Sequence, residues 1–270
     1  MTAGRVPAVS VVMAVRDGAA CVAAAVGSVL GQTDGDLELI VVDDGSTDAT
    51  ADLLAEITDP RLRVIWQPAA GLTRALNHGL SLARAELIAR LDADDVALPE
   101  RLARQRVFLT AYPDVGVLGT AAREVDAAGV PVGDVRPPQD DAAIRRALIR
   151  TNPFVHSSVM ARRALLASAG GYDARVAVAQ DYDLWMRLAR VTRLANLEDV
   201  LVVRRLGEGR VSVEREEDRL RTEARVRWRA VVSGAYPPWC ALFALRPALA
   251  LALPRPLRRA MRGALAGSRA

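Results

Sequence analysis

Lysine is absent from the chain: all 36 basic residues among its 270 are arginine, which we read as compositional bias and not as function. Cysteine is nearly absent. Cys21 and Cys240 stand far apart, without metal-binding or redox spacing, which fits a reducing compartment. Met1 to Pro7 lacks the apolar stretch of a signal peptide. The apolar stretch Trp239 to Leu253 has fifteen residues, is interrupted by Arg246-Pro247, and falls short of the ~20 that span a bilayer. No Gly-x-Gly-x-x-Gly or Gly-x-x-x-x-Gly-Lys run occurs, so dinucleotide-binding and P-loop readings lose their main support. Acids are missing from Arg225 to Ala270, which carries nine arginines; the other 224 residues hold 27 arginines against 32 acids. An acidic body therefore carries a basic tail, and such a body is not built to bind nucleic acid.

What is present suits one large α/β domain with an appendage. Hydrophobic residues make up 51% of the chain and charged residues 25%, ample for a core and unlike a disordered protein. Short apolar runs at Ala8–Ala14, Leu37–Val42, Arg63–Gln67 and Leu87–Leu91 predict strands, and Cys21–Leu30, Ala49–Ile57 and Leu72–Ala83 predict helices between them. Asp48 is a candidate cap for the second helix. Strand and helix alternating at this spacing predict a doubly wound, mostly parallel central sheet with flanking helices.

The chain is organised around Glu86 to Asp95. Three carboxylates, Asp92, Asp94 and Asp95, follow the apolar run of the fourth predicted strand, and ligands of such sheets sit beyond the strands' carboxyl ends. Asp92 and Asp94, two apart, can address one ligand. Carboxylates this close repel unless a cation lies between them, and oxygen-only clusters suit Mg²⁺ or Mn²⁺. Asp95 alone reads as a helix cap. Asp43 and Asp44 crown the second strand in the same way and can accept hydrogen bonds from a base or ribose; the bland alternative is a β-turn. Arg74, on the third predicted helix, can reach a base or diphosphate, or lie on a solvated face. His78, on that helix, reads as an exposed or capping side chain.

Beyond Asp95 the regularity weakens. Helices are expected at Arg101–Tyr112, Asp140–Arg150 and Tyr182–Ala189, and strands at Val115–Ala121 and Ser158–Met160. Gly129–Pro138 has loop chemistry, and Gly170 to Asp173 reads as a turn. Loops and polar clusters make this half the expected acceptor side of a cleft.

Val9-Ser10-Val11-Val12-Met13, Leu39 to Asp48 (ending Val-Val-Asp-Asp-Gly-Ser-Thr-Asp) and Ala89-Arg90-Leu91-Asp92-Ala93-Asp94-Asp95 resemble family 2 glycosyltransferases of the GT-A fold. So do Asn152 to Met160 and Gln180-Asp181-Tyr182-Asp183-Leu184-Trp185; the likeness covers roughly residues 8 to 205, in the family's order. It implies a nucleotide-sugar donor of the UDP-sugar type, a divalent metal and inversion at the anomeric carbon. By position, Asp44 would hold the base with Asp43 beside it, Asp92 would contact ribose or metal, and Asp94 would ligate the metal on the diphosphate. Asp181 would be the general base, with a helix N-cap as its structural alternative. His156, in the matched Asn-Pro loop, and Tyr182 would lie near diphosphate or acceptor; the alternatives are a structural hydrogen bond for His156 and a packed aromatic for Tyr182. The chain departs from the family pattern at Arg16, where an aromatic is frequent, at Gln180, where Glu pairs with the base, and at Gly207, where many relatives have His. The Gln-x-x-Arg-Trp signature of processive synthases is missing, which points to single-sugar transfer.

Two other classes are weighed against this one. A sugar-phosphate nucleotidyltransferase would want a Gly-rich basic loop after the first strand, where Val15-Arg16-Asp17-Gly18 offers one Gly and one Arg. A non-catalytic sugar-nucleotide-binding protein would not need Asp181. The expected organisation is a transferase domain over 1–224, with a nucleotide-binding half to about 98, and a basic helical appendage over 225–270. Residence is expected in the cytoplasm, in cell-surface polysaccharide or glycolipid synthesis. Trp239–Leu253 with Arg255, Arg258, Arg259 and Arg262 predicts contact with an anionic membrane surface, at the inner face of the plasma membrane, and hence a carbohydrate or lipid-linked acceptor; the alternative is a helix docked on the catalytic domain with its arginines in water.

Overall fold

The computed structural model describes residues 5–206 and 215–252. Val9–Val15 (β1) and Leu37–Asp43 (β2) are buried at every position, as strands covered on both faces should be. Leu62–Trp66 (β3) pairs with β2 and Leu87–Arg90 (β4) with β1, all parallel. The crossovers are the helices Val22–Leu30 (α1), Thr50–Ala55 (α2) and Leu72–Leu82 (α3). Alternate side chains of β1 serve two cores. Val9, Val11 and Met13 pack with α1, while Val12 packs with Leu76 of α3. A Cβ on Gly79 would come within 2.6 Å of Val12 Cγ1. Glycine there lets α3 lie close on the sheet, with its N-terminus at the end where the strands finish.

The sheet is mixed beyond β4. The elements that follow are Val96–Ala97 (β5), Arg101–Ala111 (α4), Val115–Val125 (β6), Pro131–Val135 (β7), Asp141–Leu148 (α5), Met160–Arg162 (β8), Arg163–Ser168 (α6), Gln180–Leu188 (α7) and Arg193–Arg205 (β9). The strand order is β3-β2-β1-β4-β8-β6-β9-β5, with β7 on β6. β8 runs antiparallel to β4, Met160 opposite Ala89. Residues 152–159, which lead into β8, therefore lie at the end of the sheet where β1 to β4 stop. That single reversal gathers both halves of the chain at one place.

Two expectations are corrected here. Gly129–Pro138 is not all loop, because β7 pairs there with β6. Pro131 opens the strand and every residue to Asp134 is exposed, as proline and glycine require of an edge. The boundary at 225 falls inside Glu216–Val232 (α8). α8 is part of the body: Arg227, buried, donates to Tyr182 Oη at 3.1 Å and pairs with Glu223 at 3.0 Å, and Arg229 pairs with Asp183 of α7. The helix Ala241–Ala252 (α9) runs through Pro247. It rests on α8, with Phe243 O accepting from Arg227 at 3.1 Å. Gly207 and the tail arginines Arg255, Arg258, Arg259 and Arg262 lie outside the described residues.

Candidate active site

The end of β2 carries Asp43 and Asp44, 2% and 3% exposed. Asp43 accepts from Ser46 N at 2.9 Å. Asp44 Oδ1 accepts from Gln67 Nε2 at 2.8 Å and Ala70 N at 2.7 Å, and Oδ2 from Gly71 N at 2.7 Å. The chain's own N–H groups engage both of its oxygens, Oδ1 twice and Oδ2 once. Asp44 clasps the 67–71 loop. His78 is neither exposed nor a cap; its Nδ1 lies 2.7 Å from Gln67 Oε1 and orients the amide that Asp44 accepts from. The loop after β1 is laced to the one after β2, through Asp17 N to Ser46 Oγ at 2.9 Å and Ala19 N to Asp48 Oδ2 at 3.0 Å. Arg16 and Arg74 are exposed cations at this end of the sheet.

Past β4 the chain sets three carboxylates against two buried guanidiniums. Arg90 pairs with Asp92 Oδ1, while Ser157 Oγ donates to Asp92 Oδ2 at 2.7 Å. Beneath them Arg101, fully buried, donates to Arg90 O at 2.7 Å and to Gln105 Oε1 at 3.1 Å. Burial opposes ionisation of Asp92, but Arg90, His156 and Ser157 outweigh it and hold its pKa at about 2. Asp95 goes the other way: burial first, then Asp92 and Asp94, push it up to about 7. Asp95 is not the cap of α4, whose N-cap residue is Glu100. It accepts from Arg205 N at 3.0 Å and ties the end of β9 to the acidic turn. Asp94 is the exposed member of the set.

The 152–158 loop joins this cluster to the acceptor side. Ser157 holds Asp92, and Asn152 Nδ2 donates to Asp181 Oδ2 at 2.6 Å. Asp181 lies in the first turn of α7, after Ala179 in left-handed conformation (φ 59°), so it is not the N-cap. His156 Nε2 is 2.9 Å from Tyr172 Oη, and its ring meets Trp185 edge-on at 6.3 Å. Burial, then Arg90, lower the His156 pKa, so the ring is neutral near pH 7. The expected acceptor contact from Tyr182 is corrected. It is 2% exposed, and its hydroxyl donates to Leu148 O at 2.6 Å, inside the core. Reasoning from the sequence missed Arg90, Asn152 and Ser157 as holders of the carboxylates. For Arg90 the signal was there, a charge inside an apolar strand.

Among the described residues no group of three or more His, Cys, Asp or Glu is arranged to hold a metal. A protein site of one or two carboxylates still fits Mg²⁺ or Mn²⁺ whose other ligands are phosphate oxygens and water.

A mixed central sheet with flanking helices, its parallel strands ending in carboxylates, is the architecture of the GT-A class of sugar-transferring enzymes. Solved structures share the fold: Staphylococcus aureus TarS 1-349 in complex with UDP (TM-score 0.65, 21% identity, covering 81% of this chain and 64% of that one). Another is the mannosyltransferase PcManGT from Pyrobaculum calidifontis in complex with GDP-Man and Mn²⁺ (TM-score 0.65, 23% identity, covering 97% and 80%). The model of glycosyl transferase family 2 matches residues 10–167. The amylovoran biosynthesis glycosyltransferase AmsE of Erwinia amylovora is 32% identical over 194 residues, 70% of this chain and 72% of AmsE. The O-antigen biosynthesis glycosyltransferase WbnJ of Escherichia coli is 31% identical over 183 residues, 67% of this chain and 71% of WbnJ. The chain belongs to glycosyl transferase family 2 and is a glycosyltransferase.

Proposed function

We propose that this glycosyltransferase moves a single sugar from a nucleotide-sugar donor, of the UDP-sugar type, to an acceptor hydroxyl with inversion, and that Asp181 is the general base. The observation that carries the reading is the 152–158 loop, which links Asp92 through Ser157 and Asp181 through Asn152. Donor-side and acceptor-side carboxylates thus hang on one short segment. UDP and GDP-Man in the neighbours of like fold support a nucleotide-sugar donor, and the names of AmsE and WbnJ support cell-surface polysaccharide as the product class.

Asp181 takes the proton of the incoming hydroxyl while that oxygen attacks the anomeric carbon opposite the leaving diphosphate, so one displacement inverts the centre. Asp94, with Asp92, would hold a divalent cation on the diphosphate. When bound, the cation neutralises charge on the leaving group. Arg90 already offsets Asp92, and burial favours the protonated form of Asp95. The protein alone therefore gives the cation a weak hold, and the diphosphate supplies the rest. Arg16 and Arg74 are exposed where a base or diphosphate would lie.

Asp181→Asn tests the base, because Asn keeps an oxygen for the Asn152 bond and cannot accept the proton. Transfer should fall about 10²-fold or more, with normal folding and donor binding; transfer within a few-fold of the parent removes Asp181 from the mechanism. In the same calorimetry, donor binding in Mn²⁺ should exceed that in EDTA, and Asp94→Ala should abolish the difference. Equal affinity in EDTA removes the cation.

A second observation favours a membrane-borne acceptor. On α9, Leu242, Leu245 and Leu249 are exposed on one face, and Trp239 before it is 60% exposed. Arg246 shares that exposed side. No helix among the described residues is long and apolar enough to cross a membrane, so the contact would be peripheral.

A further inference from the structure

Asn152 is held as firmly as the carboxylate it touches. Its Oδ1 accepts from Phe154 N at 3.2 Å. That bond fixes which end of the amide faces where, since only an oxygen can face the N–H. Nδ2 is thereby aimed at Asp181 Oδ2, 2.6 Å away. A carboxylate with one oxygen so anchored has the other, Oδ1, left for an acceptor proton.

We infer that Asn152 is a positioning residue for the base, holding Oδ2 of Asp181 so that the carboxylate meets the acceptor hydroxyl through Oδ1 in one orientation. The inference rests on the reading of Asp181 as the base. The surroundings support it, because the hydrogen bond to Asp181 comes from an uncharged side chain. His156, on the same loop, has its pKa lowered by burial and then Arg90, and Tyr172, on the 170–173 turn, has its pKa raised by burial. Both are neutral near pH 7. Asp183, on the same helix, is engaged by Arg187 and by Arg229 of α8. Arg90 and Asp92 act on His156. Direct contact with Asp181 comes from a neutral amide.

Two substitutions separate positioning from mere packing. Asn152→Asp keeps the shape and the Phe154 contact, and sets a second carboxylate at hydrogen-bond distance from Asp181. Two such groups share a proton, so the acid limb of the kcat–pH profile should move up by one unit or more. Asn152→Ala removes the anchor without adding charge, and kcat should fall about tenfold or more while donor Kd and the KM for donor stay as in the parent. Thermal melts of both variants are read alongside, with Asp181→Asn as the third arm. If Asp181→Asn is inactive yet both Asn152 variants keep the parent's kcat and pH profile, the positioning role is overturned and the base stands. If Asp181→Asn still transfers sugar, the base reading itself has failed. A variant with lowered melting temperature but unchanged kcat and acid limb marks Asn152 as structural only and overturns the inference.

Discussion

Asp95 is 2% exposed beside Asp94, and its pKa of about 7 reflects burial first and the charges of Asp92 and Asp94 next. An unfolded chain would give it a value near 4, so folding raises its affinity for a proton. The associated stability is fully present below about pH 4 and is lost as pH rises through 7. In EDTA, the melting temperature of the parent should therefore fall more between pH 5.5 and 8.5 than that of Asp95→Asn, whose amide oxygen can still accept from Arg205 N. Equal pH dependence in the two proteins would mean that Asp95 is ionised throughout. The sequence shows Asp95 as one of a run of acids, and a cap is what local reasoning offers. Its partner is Arg205, 110 residues away, and no local pattern carries that. The same distance hides Asn152 and Ser157, whose partners Asp181 and Asp92 lie 29 and 65 residues off.

Elements were read from the sequence in proportion to how far burial alone decided them. β1, β2 and β4 are mostly apolar runs covered on both faces, so the chain's hydropathy marks them and the acids at or just past the ends of β2 and β4 mark the site. β7 is an edge strand carrying Pro131 and Gly133, with one partner and no buried face to pattern it. α7 was placed within two residues, but which of its side chains face the cleft was not. Tyr182 turns inward because α8 lies against that face: Arg227 donates to its hydroxyl, and the hydroxyl donates to Leu148 O. Tyr182→Phe strands a buried guanidinium donor and a buried carbonyl. The cost should be about 1–3 kcal/mol, read as a lower melting temperature, with acceptor KM and kcat near the parent's. A raised acceptor KM without loss of stability would return Tyr182 to the cleft.

At the scale of the molecule, the C-terminal helices both brace the catalytic half and offer an apolar outer surface. α8 is clamped to α7 by Arg227 and Arg229, while Trp228 and Val232 on its other side are 55% and 69% exposed. From Arg225 onward the chain has no acid, so this surface meets an anionic bilayer without repulsion. Each arginine near it contributes about 1 kcal/mol. The full chain should co-sediment with anionic vesicles, and less so at high salt. Trp239→Ser with Leu245→Ser should weaken the association several-fold while leaving the melt unchanged. Sedimentation indifferent to both salt and substitution would rule this surface out. Over generations of divergence, the 152–158 segment is where such a molecule has least freedom. Asn152, His156, Ser157 and Ser158 direct their polar groups to four places: α7, the 170–173 turn, the acidic turn after β4, and β6 at Thr120. A replacement at any one of them must suit its distant partner as well as its own backbone, so a single change there should cost more than one compensated at the partner. The β7 hairpin pairs in the sheet with β6 alone, and changes in its exposed residues should leave the chemistry intact.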